Sequence, residues 1–89
     1  MVTIENFTRV NNDVNGNPRF ALHFLDLLTD NEQNGGKSIN DMYNEAVRKA
    51  KSIGGKRYRG NDFGGCIVFQ SYNLDETSKK INKLLIKKL

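Results

Sequence analysis

The side chains best equipped for chemistry in this 89-residue chain are cationic. Lys49, Lys51, Lys56, Arg57, Tyr58 and Arg59 follow one another across a Gly54-Gly55 break. Lysine and arginine contact phosphate oxygens, and an exposed Tyr58 in their midst could stack on a base. Gly54, Gly55, Gly60, Gly64 and Gly65 flank the run and would let it conform to a partner. A second group comprises Lys79, Lys83 and Lys87, spaced i, i+4, i+8, with Lys80 beside them. Like charges at that spacing repel by a few tenths of a kcal/mol per pair, so an anion that answers them would relieve the helix. Each group also has a plainer reading. Lysines along a short strand discourage edge-to-edge aggregation. Lys49 and Lys51, like the C-terminal lysines, complement a helix dipole, and Glu76 can pair with Lys80.

Other chemistries find less material. His23 is the lone histidine and Cys66 the lone cysteine. His23 lies inside an apolar run and reads as structural; Cys66 begins a second such run, and free cysteine is among the most buried residue types. The two could form a nucleophile–base pair if their strands are neighbours, though no third orienting group is in view. One histidine and one cysteine cannot build a common zinc site. Asp13, Asp30, Glu32 and Asp62 fall in loops or turns without calcium-loop spacing. The run from Gly55 to Gly60 superficially resembles a phosphate-binding loop, but Asn61-Asp62 stands where Lys-Ser or Lys-Thr is required. The expectation is a protein that is not an enzyme and carries no cofactor and no metal.

The formal net charge is +4 and is distributed unevenly. Residues 1–45 hold three basic and seven acidic side chains, a net of −4, whereas residues 46–89 hold eleven basic and three acidic, a net of +8. Such asymmetry hints at a polyanionic partner, unless the two halves interleave in space. The lone cysteine favours a reducing cytosol. The opening Met-Val-Thr-Ile-Glu-Asn-Phe lacks the basic start and apolar run of a signal peptide. The longest apolar stretch, residues 20–28, contains His23 and Asp26 and falls short of the roughly 20 residues that span a bilayer. A cytoplasmic location with no membrane contact follows.

The elements that must position these groups read as ββα followed by ββα within one domain, residues 1–89. Residues 2–10 read as a strand, with a register change before Phe7. Asn15-Gly16 is the strongest short hairpin signal, suited to a type I′ turn. Residues 19–28 read as a second strand, with Phe20, Leu22 and Phe24 on one side and Ala21, Leu25 and Leu27 on the other, hence covered on both faces. Residues 29–37 form a polar loop without an apolar anchor. Ser38 opens a helix, with Asp41 completing a capping-box spacing. Ile39, Met42, Tyr43, Ala46, Val47, Ala50 and Ile53 make its inner face, and Gly54-Gly55 ends it. A short extended segment (56–59), a turn (60–62) and a buried strand (66–72) come next. Asn73 or Asp75 then caps a last helix with Leu74, Thr77, Ile81, Leu84 and Leu85 inward. Closure as an α+β fold, a mainly antiparallel four-stranded sheet with two helices packed on one face, is the natural outcome. The halves show no self-similarity, and monomer and homodimer both remain open.

Two stretches, residues 15–28 (Asn-Gly-Asn-Pro-Arg-Phe-Ala-Leu-His-Phe-Leu-Asp-Leu-Leu) and 58–72 (Tyr-Arg-Gly-Asn-Asp-Phe-Gly-Gly-Cys-Ile-Val-Phe-Gln-Ser-Tyr), resemble segments of small uncharacterised proteins encoded by phages and plasmids. The resemblance covers about a third of the chain and implies a mobile-element origin, with no site residues attached. The Asn- and Lys-rich composition fits an AT-rich coding source. Two functions are then to be weighed. The leading expectation is an accessory protein that binds nucleic acid or a nucleoprotein complex through Lys49, Lys51, Lys56, Arg57, Tyr58 and Arg59, together with Lys79, Lys80, Lys83 and Lys87. The alternative is a phage-type inhibitor that blocks a host protein by protein–protein contact, with the Asn-rich loops 11–17 and 29–37 as the gripping tips.

Overall fold

The structure is a computed structural model and describes residues 1–57, 65–70 and 73–86. Its strands are β1 (Thr8–Val10), β2 (Arg19–His23), β3 (Gly55–Arg57) and β4 (Cys66–Gln70); its α-helices are α1 (Asp30–Gln33), α2 (Ile39–Lys51) and α3 (Leu74–Ile86). The strands form one antiparallel sheet in the order β1-β2-β4-β3, so β2 and β4 are central and β1 and β3 are edges. This is the α+β architecture expected from the hydrophobic patterning. Opposed residues share a face: Leu22, Ile67 and Phe69 point toward the helices, where they pack with Ala46, Val47 and Ala50 of α2 and Ile81 of α3. Val10, Ala21 and Val68 form a smaller buried cluster on the other face, with Cys66 packed against it.

Several expectations are corrected. The strand expected over residues 2–10 is confined to Thr8–Val10; a 3-10 turn at Ile4–Asn6 replaces its start. Val2 is buried nevertheless, because Asn82 of α3 grips its backbone: the Val2 N–H donates to Asn82 Oδ1 at 2.8 Å, and Asn82 Nδ2 donates to the Val2 carbonyl at 2.9 Å. The second strand ends at His23 and continues as a 3-10 turn, Phe24–Leu27. That turn explains the apolar residues on both sides of the run. Phe24, Leu27 and Leu28 all reach the same core once the backbone coils.

The expected type I′ turn at Asn15-Gly16 is absent, for Gly16 alone of the pair has positive φ, at 81°. Asp13 organises the connection instead. Its Oδ1 accepts from the backbone N–H of Asn15 (2.9 Å) and of Asn17 (2.8 Å), and its Oδ2 from Gln70 of β4. The Asn17 N–H, above all, holds the Asp13 carboxyl below its usual range, against a smaller opposing effect of desolvation. Local side-chain-to-backbone bonding of this kind competes with a tight hairpin.

Residues 29–37 are not an unanchored loop. Thr29 and Glu32 make a reciprocal capping box around α1, and Gln33 Nε2 donates to the carbonyls of Leu25 (3.0 Å) and Leu28 (3.2 Å). Ser38 caps α2 by accepting from the Asp41 N–H at 3.1 Å. Gly54, at φ 88°, turns the chain out of the helix, and Gly55 then brings β3 tight against α2. Asn73 caps α3 through the Glu76 N–H at 3.1 Å.

Candidate functional site

The lysines that adjoin one another in sequence meet different fates in the fold. Lys49 is not a surface cation. It forms an ion pair with Glu32, and each side chain is only 12% exposed. Burial pushes the Glu32 carboxyl up, but the Lys49 ammonium and the Thr29 backbone and hydroxyl outweigh it and bring the group down to about 2. On α3, Lys79 sits 3.1 Å from Asp75 and Lys80 3.9 Å from Glu76, each one turn back along an exposed face. Arg48 pairs with Glu45 and keeps that carboxyl low. Lys51, Lys56, Arg57 and Lys83 stay exposed, without an ion pair among the described residues. Tyr58, Arg59 and Lys87 lie outside the described residues.

Strand alternation separates the two cations of β3. Lys56 pairs in register with Val68 and faces away from the helices; Arg57 pairs with Ile67 and faces them. Lys56 borders a cleft of about 270 Å³ with Asp13, Arg19, Gly54, Val68 and Gln70, and Arg57 also reaches its lining. The Asp13 carboxylate makes that cleft mixed in charge.

Arg57 reaches the more developed site. Its Cζ lies 4.9 Å from the centroid of the Tyr43 ring, and its Nη2 donates to Asn44 Oδ1 at 3.1 Å. Both partners come from α2, so the helix supplies a flat support and a lateral anchor for one guanidinium. Tyr43 in turn meets Phe24 edge-on, with centroids 5.5 Å apart and planes at 71°. Phe24 is held at its own backbone, whose N–H donates to the Gly65 carbonyl at 2.9 Å. Gly65 has φ 77°, and a Cβ there would approach the Phe24 ring to 3.1 Å. Around these residues opens a shallow pocket of about 570 Å³, lined by Phe24, Ile39, Asn40, Tyr43, Arg57 and Gly65. Ile39, expected on the inner face of α2, is 71% exposed at its rim. Phe24, Tyr43 and Ile39 were placed by sequence in the core alone. Only the over-long apolar face of α2, starting one turn before the buried positions, could have signalled a lip.

Cys66 and His23 are direct cross-strand partners, as the nucleophile–base idea requires. The rest of that idea is not supported by the geometry. Burial, then the nearby Asp26 charge, pushes the Cys66 thiol up, away from the reactive thiolate. His23 Nδ1 accepts the Leu25 N–H at 3.3 Å and so caps the 3-10 turn. Among the described residues no group of three or more His, Cys, Asp or Glu side chains is placed to hold a metal ion, and no helix is long and apolar enough to cross a membrane.

Fold and site together describe a small antiparallel α+β domain with a cation-over-aromatic pocket beside one sheet edge. The chain belongs to the family described as Staphylococcus phage terminal repeat-encoded protein TreK, whose model matches residues 2–88. It is thus a phage-encoded protein, in keeping with the mobile-element resemblance. No curated protein and no solved structure matches it.

Proposed function

We propose that this protein is a non-enzymatic agent of the phage that works in the host cytoplasm by docking onto a host protein. One observation carries the reading: the pocket in which Arg57 is laid over Tyr43 next to the exposed Ile39. Interface hot spots are rich in arginine and aromatic residues, with apolar contacts around them that exclude water. A guanidinium already fixed by Tyr43 and Asn44 loses little further freedom when it binds. The charge pattern supports the same choice. Lys49, Lys79 and Lys80, which would have contributed to a phosphate-binding face, are answered by Glu32, Asp75 and Glu76.

Nucleic-acid binding, directly or within a nucleoprotein complex, keeps one supporting observation. Lys51, Lys56 and Arg57 are exposed close together in the chain and have no ion pair among the described residues. A single pair of experiments separates the two readings. The wild type and an Ile39→Asp/Arg57→Glu variant are used to capture proteins from staphylococcal lysate at near-physiological salt. Both are also titrated with labelled single- and double-stranded DNA and RNA by fluorescence polarisation. A host protein held by the wild type and released by the variant is the expected result. Micromolar nucleic-acid binding that falls steeply with salt, weakens when Lys51, Lys56 and Arg57 are neutralised, and comes with no retained protein would replace docking by the nucleic-acid reading.

A further inference from the structure

The pocket also says what chemistry its occupant has. We infer that it receives an acidic side chain set beside an apolar one on an exposed segment of the partner protein, a Glu or Asp next to a Leu or Phe. This inference rests on the docking reading and names its ligand.

Among the described lining residues Arg57 is the one charged group, and none of them is a carboxylate. The charge that these residues present is positive and calls for an anion. A guanidinium carries five N–H donors in a planar fork. Asn44 occupies one through Nη2, and Tyr43 fixes the plane from beneath. The remaining donors suit the two oxygens of a carboxylate, which arginine grips in bidentate fashion. Asn40 at the rim adds an amide that donates and accepts. Phe24, Ile39 and Tyr43 supply the apolar remainder of the wall.

A nucleotide fits less well. Phe24 is only 8% exposed, and Arg57 lies over one face of the half-buried Tyr43 ring while Phe24 meets that ring edge-on, so less ring surface is left for a base to stack on. A strand of nucleic acid also needs a row of cations along its backbone. Lys56, next in the chain, pairs with Val68 on the other side of the sheet, and the cleft where it meets Arg57 and Arg19 also holds the Asp13 carboxylate.

The test uses the full chain, labelled with ¹⁵N, and three probes: N-acetyl-Glu-Leu-amide, N-acetyl-Gln-Leu-amide and AMP. The glutamate peptide is expected to shift the amides of Ile39, Tyr43, Arg57 and Gly65 and to bind about five-fold more tightly than the glutamine peptide, the difference a charge-assisted pair confers. In Arg57→Gln, an exposed substitution whose folding is checked by the same spectrum, that preference is expected to vanish. Equal binding of the two peptides would overturn the proposal. So would stronger shifts of the same amides by AMP, or no shift with any probe up to its solubility limit. Lysate capture keeps the two levels apart. If Ile39→Asp/Arg57→Glu still holds a host protein, docking stands and this pocket is not where it happens. If no host protein is held by the wild type but the glutamate peptide binds as described, the pocket's chemistry stands and the docking reading falls.

Discussion

Replacing Glu32 by Gln should destabilise the protein near neutrality and much less in acid. Glutamine keeps the capping box, since its amide oxygen can still accept the Thr29 N–H that Glu32 Oε1 takes at 3.0 Å. What it removes is the charge that Lys49 faces in a pair whose side chains are each 12% exposed. The carboxyl moves from 4.5 in the unfolded chain to about 2 in the folded one. At 1.36 kcal/mol per unit that difference has a ceiling of roughly 3 kcal/mol. Because the folded value is the lower, the unfolded chain takes up the proton first on acidification. The contribution is therefore whole above about pH 4.5 and drains away as the pH falls toward 2. More than half of it, roughly 2 kcal/mol, is gone by pH 3. Urea unfolding of wild type and Glu32→Gln at pH 7 and pH 3 reads this directly. The gap should be about 2–3 kcal/mol at pH 7, or some 10–20 °C in Tm, and should shrink by more than half at pH 3. A gap that is the same at both pH values, or one below about 0.5 kcal/mol at pH 7, would be typical of an exposed pair and would return Lys49 to the surface.

Two further substitutions probe how the sheet is held. Gly55→Ala would place a Cβ 2.7 Å from both the Ala50 Cβ and Phe69 Cε1, where α2 meets β3 and both neighbours are buried; an overpacking cost of about 1–3 kcal/mol is expected in the same urea assay, and a neutral or stabilising result would show that the helix stands off the strand. Asn82→Ala removes both hydrogen bonds that tie the Val2 backbone to α3; a loss of about 1–2 kcal/mol should come with faster hydrogen exchange at Val2, and unchanged exchange there would mean that burial of the side chain alone holds the segment.

The parts of this fold that were legible in the sequence are those governed by periodicity and by short-range caps. The spacing of Ala46, Val47 and Ala50 marks the buried face of α2, Ser38 its start and Gly54 its end, and all three hold. Periodicity marks a face but not how far the core extends beneath it, which is why Ile39 reads as buried and is exposed. Composition misleads where an irregular turn replaces a regular element. Residues 24–28 are apolar enough for a strand, yet a His23-capped 3-10 turn carries Phe24, Leu27 and Leu28 into one core. Asn15-Gly16 carries the strongest local hairpin signal, but the Asp13 carboxylate, two residues upstream, recruits the backbone first. The site itself is non-local. Lys49 meets Glu32 across 17 residues and Arg57 meets Asn44 across 13, and no window of the sequence shows either pair.

The same contacts change the meaning of the charge asymmetry. A net of −4 in one half of the chain and +8 in the other implies a cationic face only if the halves occupy different regions of the molecule. In the sheet they lie side by side, β1 and β2 from the acidic half against β4 and β3 from the basic half, but side chains bridge the division. Glu32 reaches Lys49 across that division, Asp13 reaches Gln70, and Asn82 returns to Val2. Part of the positive excess, Lys49, is thereby drawn into the fold, where it is paired with Glu32. Arg57 differs from Lys49, Lys79 and Lys80 because its partners are neutral. Tyr43 and Asn44 orient the guanidinium without neutralising it, so its charge remains available to a ligand. An oriented charge on a mostly apolar wall selects for geometry as well as sign, and that selectivity is what a protein surface can meet and a uniform phosphate backbone does not require.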